Sequence, residues 1–243
     1  TLTLTPPRDQ DASLTYVSDP KDPVPSIGGS WAIGERSGPH DQRPLTDRKD
    51  ILRFATEPLT DPVGITGKVW VELAFSSDAP DTMFTVKLID IYPDGYEAVY
   101  RESAGLARYW QGLDKPAPLT PGKVYRLMLD CWSTALIFNK GHRIGLHVSS
   151  SSHPSYEVHP NTYEQVSSES EVRAANNTIH VCATNATRLI LPVVAKETYL
   201  TTSKERAERV AADGGQYRFT MVSKLAKTLN HSAKDLHDAM PWR

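Results

Sequence analysis

The chain has 243 residues, 39% of them hydrophobic, which is enough for one large β-domain or two small domains with a packed core. Its 27 Lys and Arg against 29 Asp and Glu leave a net charge of -2, so there is no basic field to gather a nucleic-acid backbone. Apolar runs such as 189–195 fall well short of the roughly 20 residues a membrane-spanning helix needs, so neither nucleic acid nor a membrane span is expected as a partner.

Thr1-Leu2-Thr3-Leu4 opens the chain with no Met, charged n-region or apolar h-region, and so reads as an excised piece without a secretion signal. From residue 16 to 38 the pairs Asp19-Pro20, Asp22-Pro23, Val24-Pro25 and Gly28-Gly29 block helix and predict an extended, turning strap. Short strand-like runs follow at 51–56, 68–75, 84–92, 124–130, 143–149 and 188–194, with turn residues between them, the spacing of a sandwich or barrel. In the second run Val69, Val71, Leu73 and Phe75 share one face and Lys68, Trp70, Glu72 and Ala74 the other, so one side is expected to be buried. In the third, Phe84, Val86 and Leu88 are opposed by Ile89 and Ile91, which predicts cover on both faces. Pro93-Asp94-Gly95 supplies a fixed φ, a local acceptor and a residue free to take positive φ, so 84–100 is expected to be a hairpin. Beyond Lys196, Ser203 caps a helical run to Ala212 that ends at Gly214-Gly215, and Phe219, Val222, Leu225, Ala226 and Leu229 recur at helical spacing, which predicts a helical tail. The domains so defined are a β-domain over 1–198, whose strap covers about 1–38, and a tail over 199–243.

Chemistry is sparse. A Gly-x-Ser-x-Gly nucleophile elbow is absent; Gly28-Gly29-Ser30-Trp31-Ala32 fails at the second glycine, and Ser30 reads as a turn residue. The run Ser149-Ser150-Ser151-Ser152 beside His153 is expected to be a polar strand end whose hydroxyls bond nearby backbone. His142, His147, His153 and His159 stand five or six apart and match no compact zinc pattern, so no metal or cofactor is assigned. Asp90 and Arg143 each interrupt an apolar strand, and a half-buried charge there needs a partner; pairing with each other is the expectation. Cys131 and Cys182 read as small buried thiols.

Taken in order, several segments carry a family resemblance. They include Tyr16-Val17-Ser18-Asp19-Pro20, Gly38-Pro39-His40-Asp41-Gln42-Arg43, Asp50-Ile51-Leu52, Pro93-Asp94-Gly95, Gly141-His142-Arg143-Ile144, Ser149-Ser150-Ser151, Asn161-Thr162 and Leu191-Pro192. Over about 14–194 the chain resembles the C-terminal jelly-roll, galactose-binding-like domain of the X-Pro dipeptidyl-peptidase, cocaine esterase and α-amino-acid ester hydrolase family of serine hydrolases. Met83 stands where that family usually has Asp, and the helical tail is a second departure.

The resemblance implies an all-β fold, a jelly-roll β-sandwich with an extended N-terminal strap and a helical C-terminal tail. It implies a non-catalytic role beside an α/β-hydrolase domain of the same parent, the Ser, Asp and His of which have no counterpart here. This chain alone is then inactive, needs no cofactor, and helps to wall the parent's substrate pocket. Ser30 and Trp31 are the candidate pocket-facing residues, since the strap leaves the sandwich there. A homo-oligomer is a further partner such a domain could support. The alternative is a carbohydrate-binding sandwich that stacks sugars on Trp70, Trp110, Trp132 or Tyr156.

Overall fold

A computed structural model of the chain describes residues 1–30, 37–164, 171–196 and 199. The chain divides into two compact units, Thr1–Val193 and Val194–Arg243. The fold is that of the first; the predicted tail, Tyr199 apart, lies outside the described residues, as does Trp31.

Nine strands are described: β1 (Ser13–Ser18), β2 (Leu52–Ala55), β3 (Val63–Ser77), β4 (Met83–Ile91), β5 (Glu97–Leu106), β6 (Tyr125–Phe138), β7 (Arg143–Ser149), β8 (Ala175–His180) and β9 (Arg188–Ile190). They form two antiparallel sheets. One runs β1-β8-β3-β6, with β9 also on β3; the other runs β2-β7-β4-β5. The all-β sandwich is therefore as the sequence implied. The β4-β5 hairpin closes through Pro93-Asp94-Gly95, where Gly95 has φ 86, a conformation open to glycine at no steric cost.

Alternation explains the core. Val69, Val71, Leu73 and Phe75 of β3 are fully buried and face Phe84, Val86 and Leu88 of β4 and Leu146 and Val148 of β7. The rings of Phe75 and Phe84 meet across the sheets at 4.6 Å between centroids. β4 is buried on both faces, from Met83 to Asp90, because residues of the strap lie over its outer side. There Val24, Leu45 and Ile51, with Ile27 packed against them, make a second, smaller core.

The strap that covers this face runs on past the expected limit of about residue 38 to Ile51, and it is tied down by backbone. Pro25 bridges His153, Asp41 bridges Ala98, and Gln42 N–H reaches Glu97 O at 2.9 Å. β1 lies inside the stretch read as strap and pairs with β8 along its whole length. On the other flank, edge strands β5 and β6 lie side by side: Ser103 Oγ donates to Asp130 O at 2.8 Å and Arg101 Nη2 to Ser133 O at 2.8 Å.

Candidate functional site

The outer face of the four-stranded sheet carries a row of polar side chains that register puts side by side. Arg53 of β2 pairs with His147 of β7, His147 with Lys87 of β4, and Lys87 with Glu102 of β5. A row of charges on a sheet face would ordinarily be solvated, but the strap covers it, and Lys87 and Glu102 are only 5% and 3% exposed. Buried charges must be paired. Lys87 Nζ stands 3.6 Å from Glu102 Oε1, an ion-pair rather than hydrogen-bond distance, and donates to Gln42 Oε1 at 3.1 Å. Arg53 Nη1 donates to Glu97 Oε2 at 2.8 Å.

The electrostatics follow from burial. Burial lowers the Lys87 pKa, against the attraction of Glu102. Burial likewise drives His147 down to about 3, and the charges of Arg53 and Lys87 push the same way, so its ring is neutral. Burial raises the Glu97 carboxyl, against the pull of Arg53.

Gln42 is the strap's latch. It is completely buried, and while Oε1 accepts from Lys87, Nε2 donates to Ile27 O at 2.7 Å and His40 O at 3.2 Å. A carboxamide is suited to this place because it gives two donors and an acceptor without a charge. Close by, Gly29 and Gly38 exchange hydrogen bonds of 2.8 and 3.0 Å. Gly29 has φ 96, and a Cβ on it would stand 3.0 Å from Glu102 Oε2, so a larger residue would be strained and would crowd the carboxylate. Ser30, the candidate pocket residue, follows directly and is exposed.

A second network lies at the end of β7. Ser149 Oγ meets Thr85 Oγ1 at 2.6 Å and donates to Ser151 O; Ser150 Oγ meets the Tyr16 hydroxyl at 2.7 Å and accepts from Asn177 Nδ2 at 2.8 Å; Ser151 Oγ accepts the Val24 N–H at 2.8 Å. The seryl run therefore bonds across the fold, to strands and strap, more than to nearby backbone. Asn161 extends the network, accepting from Thr82 Oγ1 and donating to Ser18 O. Asp81, fully buried, receives the Arg108 backbone N–H and guanidinium, so the carboxylate next to Met83 keeps an arginine partner while Met83 itself is packed at 5% exposure.

The pairing expected between Asp90 and Arg143 is not the one found. Asp90 Oδ1 is 2.9 Å from His142 Nδ1, and Arg143 Nε donates to Thr56 O at 2.6 Å. Register gives the reason: Ile91 pairs with Arg143 and Asp90 with Ile144, so Asp90 and Arg143 point to opposite faces of the sheet and each takes a partner on its own side. Cys131 and Cys182 are free thiols and buried.

A hydroxyl and an imidazole meet at Ser76 Oγ and His180 Nε2, 3.0 Å apart. Both sit in regular ladder positions of β3 and β8, and among the described residues no carboxylate bonds the other ring nitrogen of His180, so the arrangement lacks the group that would orient a base. Among the described residues no cluster of three or more His, Cys, Asp or Glu could hold a metal ion, and no helix is long and apolar enough to cross a membrane. Of the four candidate stacking rings, Trp110 packs on the core against Tyr125 at 4.8 Å, Trp70 and Tyr156 are half-buried, and Trp132 is exposed. They form no common platform. Sequence reasoning missed Lys87 and Glu102 and weighed His147 only as a metal ligand, although Lys87 interrupts an apolar strand just as Asp90 does.

Fold and site together describe a β-sandwich with a latched strap over one sheet. The X-Pro dipeptidyl-peptidase C-terminal non-catalytic domain family matches residues 1–190, and the chain belongs to that family. It is similar to the cocaine esterase of Rhodococcus sp. (strain MB1 Bresler), 40% identical over 189 residues, which is 76% of this chain and 33% of the relative. Among solved structures it is similar to an aminopeptidase from the marine sediment archaeon Thaumarchaeota archaeon, with TM-score 0.72 and 27% identity over 79% of this chain and 34% of that one. It is similar also to an α-amino acid ester hydrolase, with TM-score 0.68 and 31% identity over 78% of this chain and 34% of that one. The chain thus spans about a third of the length of the relatives it matches.

Proposed function

We propose that this chain is the non-catalytic β-domain of a larger serine hydrolase that cleaves ester or peptide bonds, where it supports an α/β-hydrolase domain and shapes the substrate pocket. The observation that carries the reading is the match of residues 1–190 to a domain family described as non-catalytic, in a chain that spans only about a third of the length of its relatives. The latched strap supports it: Gln42, Lys87 and Glu102 fix the base from which Ser30 projects, as a pocket wall requires. Ser30 and Trp31 are proposed to face that pocket.

The test is to assay this chain and its full-length parent on aryl esters and X-Pro amides. The parent should turn over one of these classes and the chain alone neither. Turnover by the chain, abolished by Ser76→Ala, would overturn the reading. The exposed Trp132 is the feature that favours carbohydrate binding instead; retention of the chain by immobilised glycans, lost in Trp132→Ala, would support that alternative.

A further inference from the structure

The register of β3 with β6 slips by one residue midway: Lys68 pairs with Ser133 but Trp70 with Asp130. Val69 is thus opposed by two residues, Cys131 and Trp132, and such a bulge re-aims a side chain. Cys131 turns into the core. Trp132 takes φ 65 and is 71% exposed, a conformation that is an outlier for a bulky residue and persists only where the surroundings enforce it.

The surroundings do enforce it. Trp132 N–H donates to Asp130 Oδ1 at 2.8 Å, and Asp130 Oδ2 is held by Lys68 Nζ at 2.8 Å. Ser103 and Arg101 of β5 grip the carbonyls of Asp130 and Ser133 on either side. The indole itself makes no hydrogen bond or ring contact among the described residues. The chain thus fixes the backbone around a large apolar ring in a strained conformation and gains little from the ring by its own packing.

We propose that Trp132 is a preformed anchor by which the β5–β6 edge docks onto the catalytic part of the same parent protein. This rests on the reading of the chain as one domain of a larger hydrolase. Two observations choose that occupant. About two thirds of the length of the relatives lies outside this chain, and that portion has to rest against this domain somewhere. The outer face of the four-stranded sheet is already covered by the strap, whereas the β5–β6 edge offers a rigid, unpartnered Trp. A Trp on a fixed backbone loses little freedom on docking and is the residue type most enriched among those that dominate interface energetics.

The experiment places the photo-reactive residue p-benzoylphenylalanine at position 132 of the full-length parent and maps the cross-links by mass spectrometry. Cross-links within one chain to peptides N-terminal to residue 1 are expected. Cross-links confined to residues 1–243, cross-links only between two copies, or none, would overturn the proposal. Trp132→Gly gives an independent reading, since glycine tolerates φ 65. The unfolding midpoint of the isolated chain should hold or rise, while in the parent the cleavage of this edge by added protease quickens by about tenfold or more, the scale of a lost interface hot spot. A fall in midpoint for the isolated chain would make Trp132 a structural residue and defeat the inference. A parent that cleaves neither esters nor X-Pro amides but gives the expected cross-links would defeat the proposed function and leave the docking edge standing.

Discussion

Lys87 shows how one residue's place in a strand decides its chemistry. It is directed outward on β4, where the strap closes over it, so its charge has to be met by Glu102 and Gln42. Removing one partner of such a buried pair costs about 3–5 kcal/mol, while replacing both with apolar groups of similar volume is often neutral or stabilising. Lys87→Met alone is therefore expected to destabilise by about 3 kcal/mol, and Lys87→Met with Glu102→Leu to recover most of that loss, as read from urea unfolding in a double-mutant cycle. His147, two strands' width from Glu102, makes the pH prediction. Its folded pKa of about 3 lies below the ordinary histidine value of 6.5, so between those limits the unfolded chain takes up a proton that the folded chain refuses. Stability should fall as pH drops from about 6.5 towards 3, by a few kcal/mol in all. Urea midpoints measured across that range should show a shallower slope for His147→Gln than for the parent chain.

Elements were legible in the sequence where alternation was clean. β4 and β7 fall within a residue of the runs read as strands, because their inward positions are apolar but for Asp90 near the end of β4. β6 was cut short at residue 130: the bulge at Cys131 and Trp132 reverses which parity faces the core, and a period-2 reading stops where the parity flips. β8 was missed for a different reason. Its inward positions are Ala175, Asn177 and Ile179, and a buried Asn in the middle hides the apolar stripe. That Asn is also why β8 can hold the polar end of the sandwich. Asn177 accepts from Ser77 Oγ and donates to Thr82 Oγ1 and Ser150 Oγ at 2.7–3.0 Å. Asn177→Leu has nearly the same volume but leaves three buried hydroxyls short of a partner, each worth about 1 kcal/mol or more. Chemical denaturation should show a loss of about 3 kcal/mol, several times that of Asn176→Leu on the exposed face. The jelly-roll itself was legible only through family resemblance, since no periodicity states which strands cross between sheets. The latch was half legible: Gln42 stood in a quoted segment, but that it bonds Lys87 depends on a contact 45 residues away.

At the scale of the molecule the described β-domain has two cores of unequal size, and they should not open together. The main core joins both sheets through Phe75, Phe84, Leu88, Leu146 and their neighbours. The second, Val24, Leu45 and Ile51 with Ile27 against them, holds only the strap. Its other ties are backbone bridges, the Gln42 latch and single side-chain bonds such as those of Val24 N–H to Ser151 Oγ and Glu97 N–H to Asp41 Oδ1. Segments with few buried apolar contacts open below the global free energy. Val24→Ala should therefore raise amide exchange over the described strap residues 19–30 and 37–50 while leaving the protection of β3, β4 and β7 nearly unchanged. Phe84→Ala, a cost of about 3–5 kcal/mol in the main core, should raise exchange in every strand. Mass spectrometry of deuterium uptake on the two variants separates these outcomes: uniform loss of protection in Val24→Ala would mean that strap and sandwich are a single cooperative unit. The distinction bears on the proposed function, because a strap proposed as a pocket wall would, if it opens without unfolding the domain behind it, admit a substrate that a single rigid body would exclude.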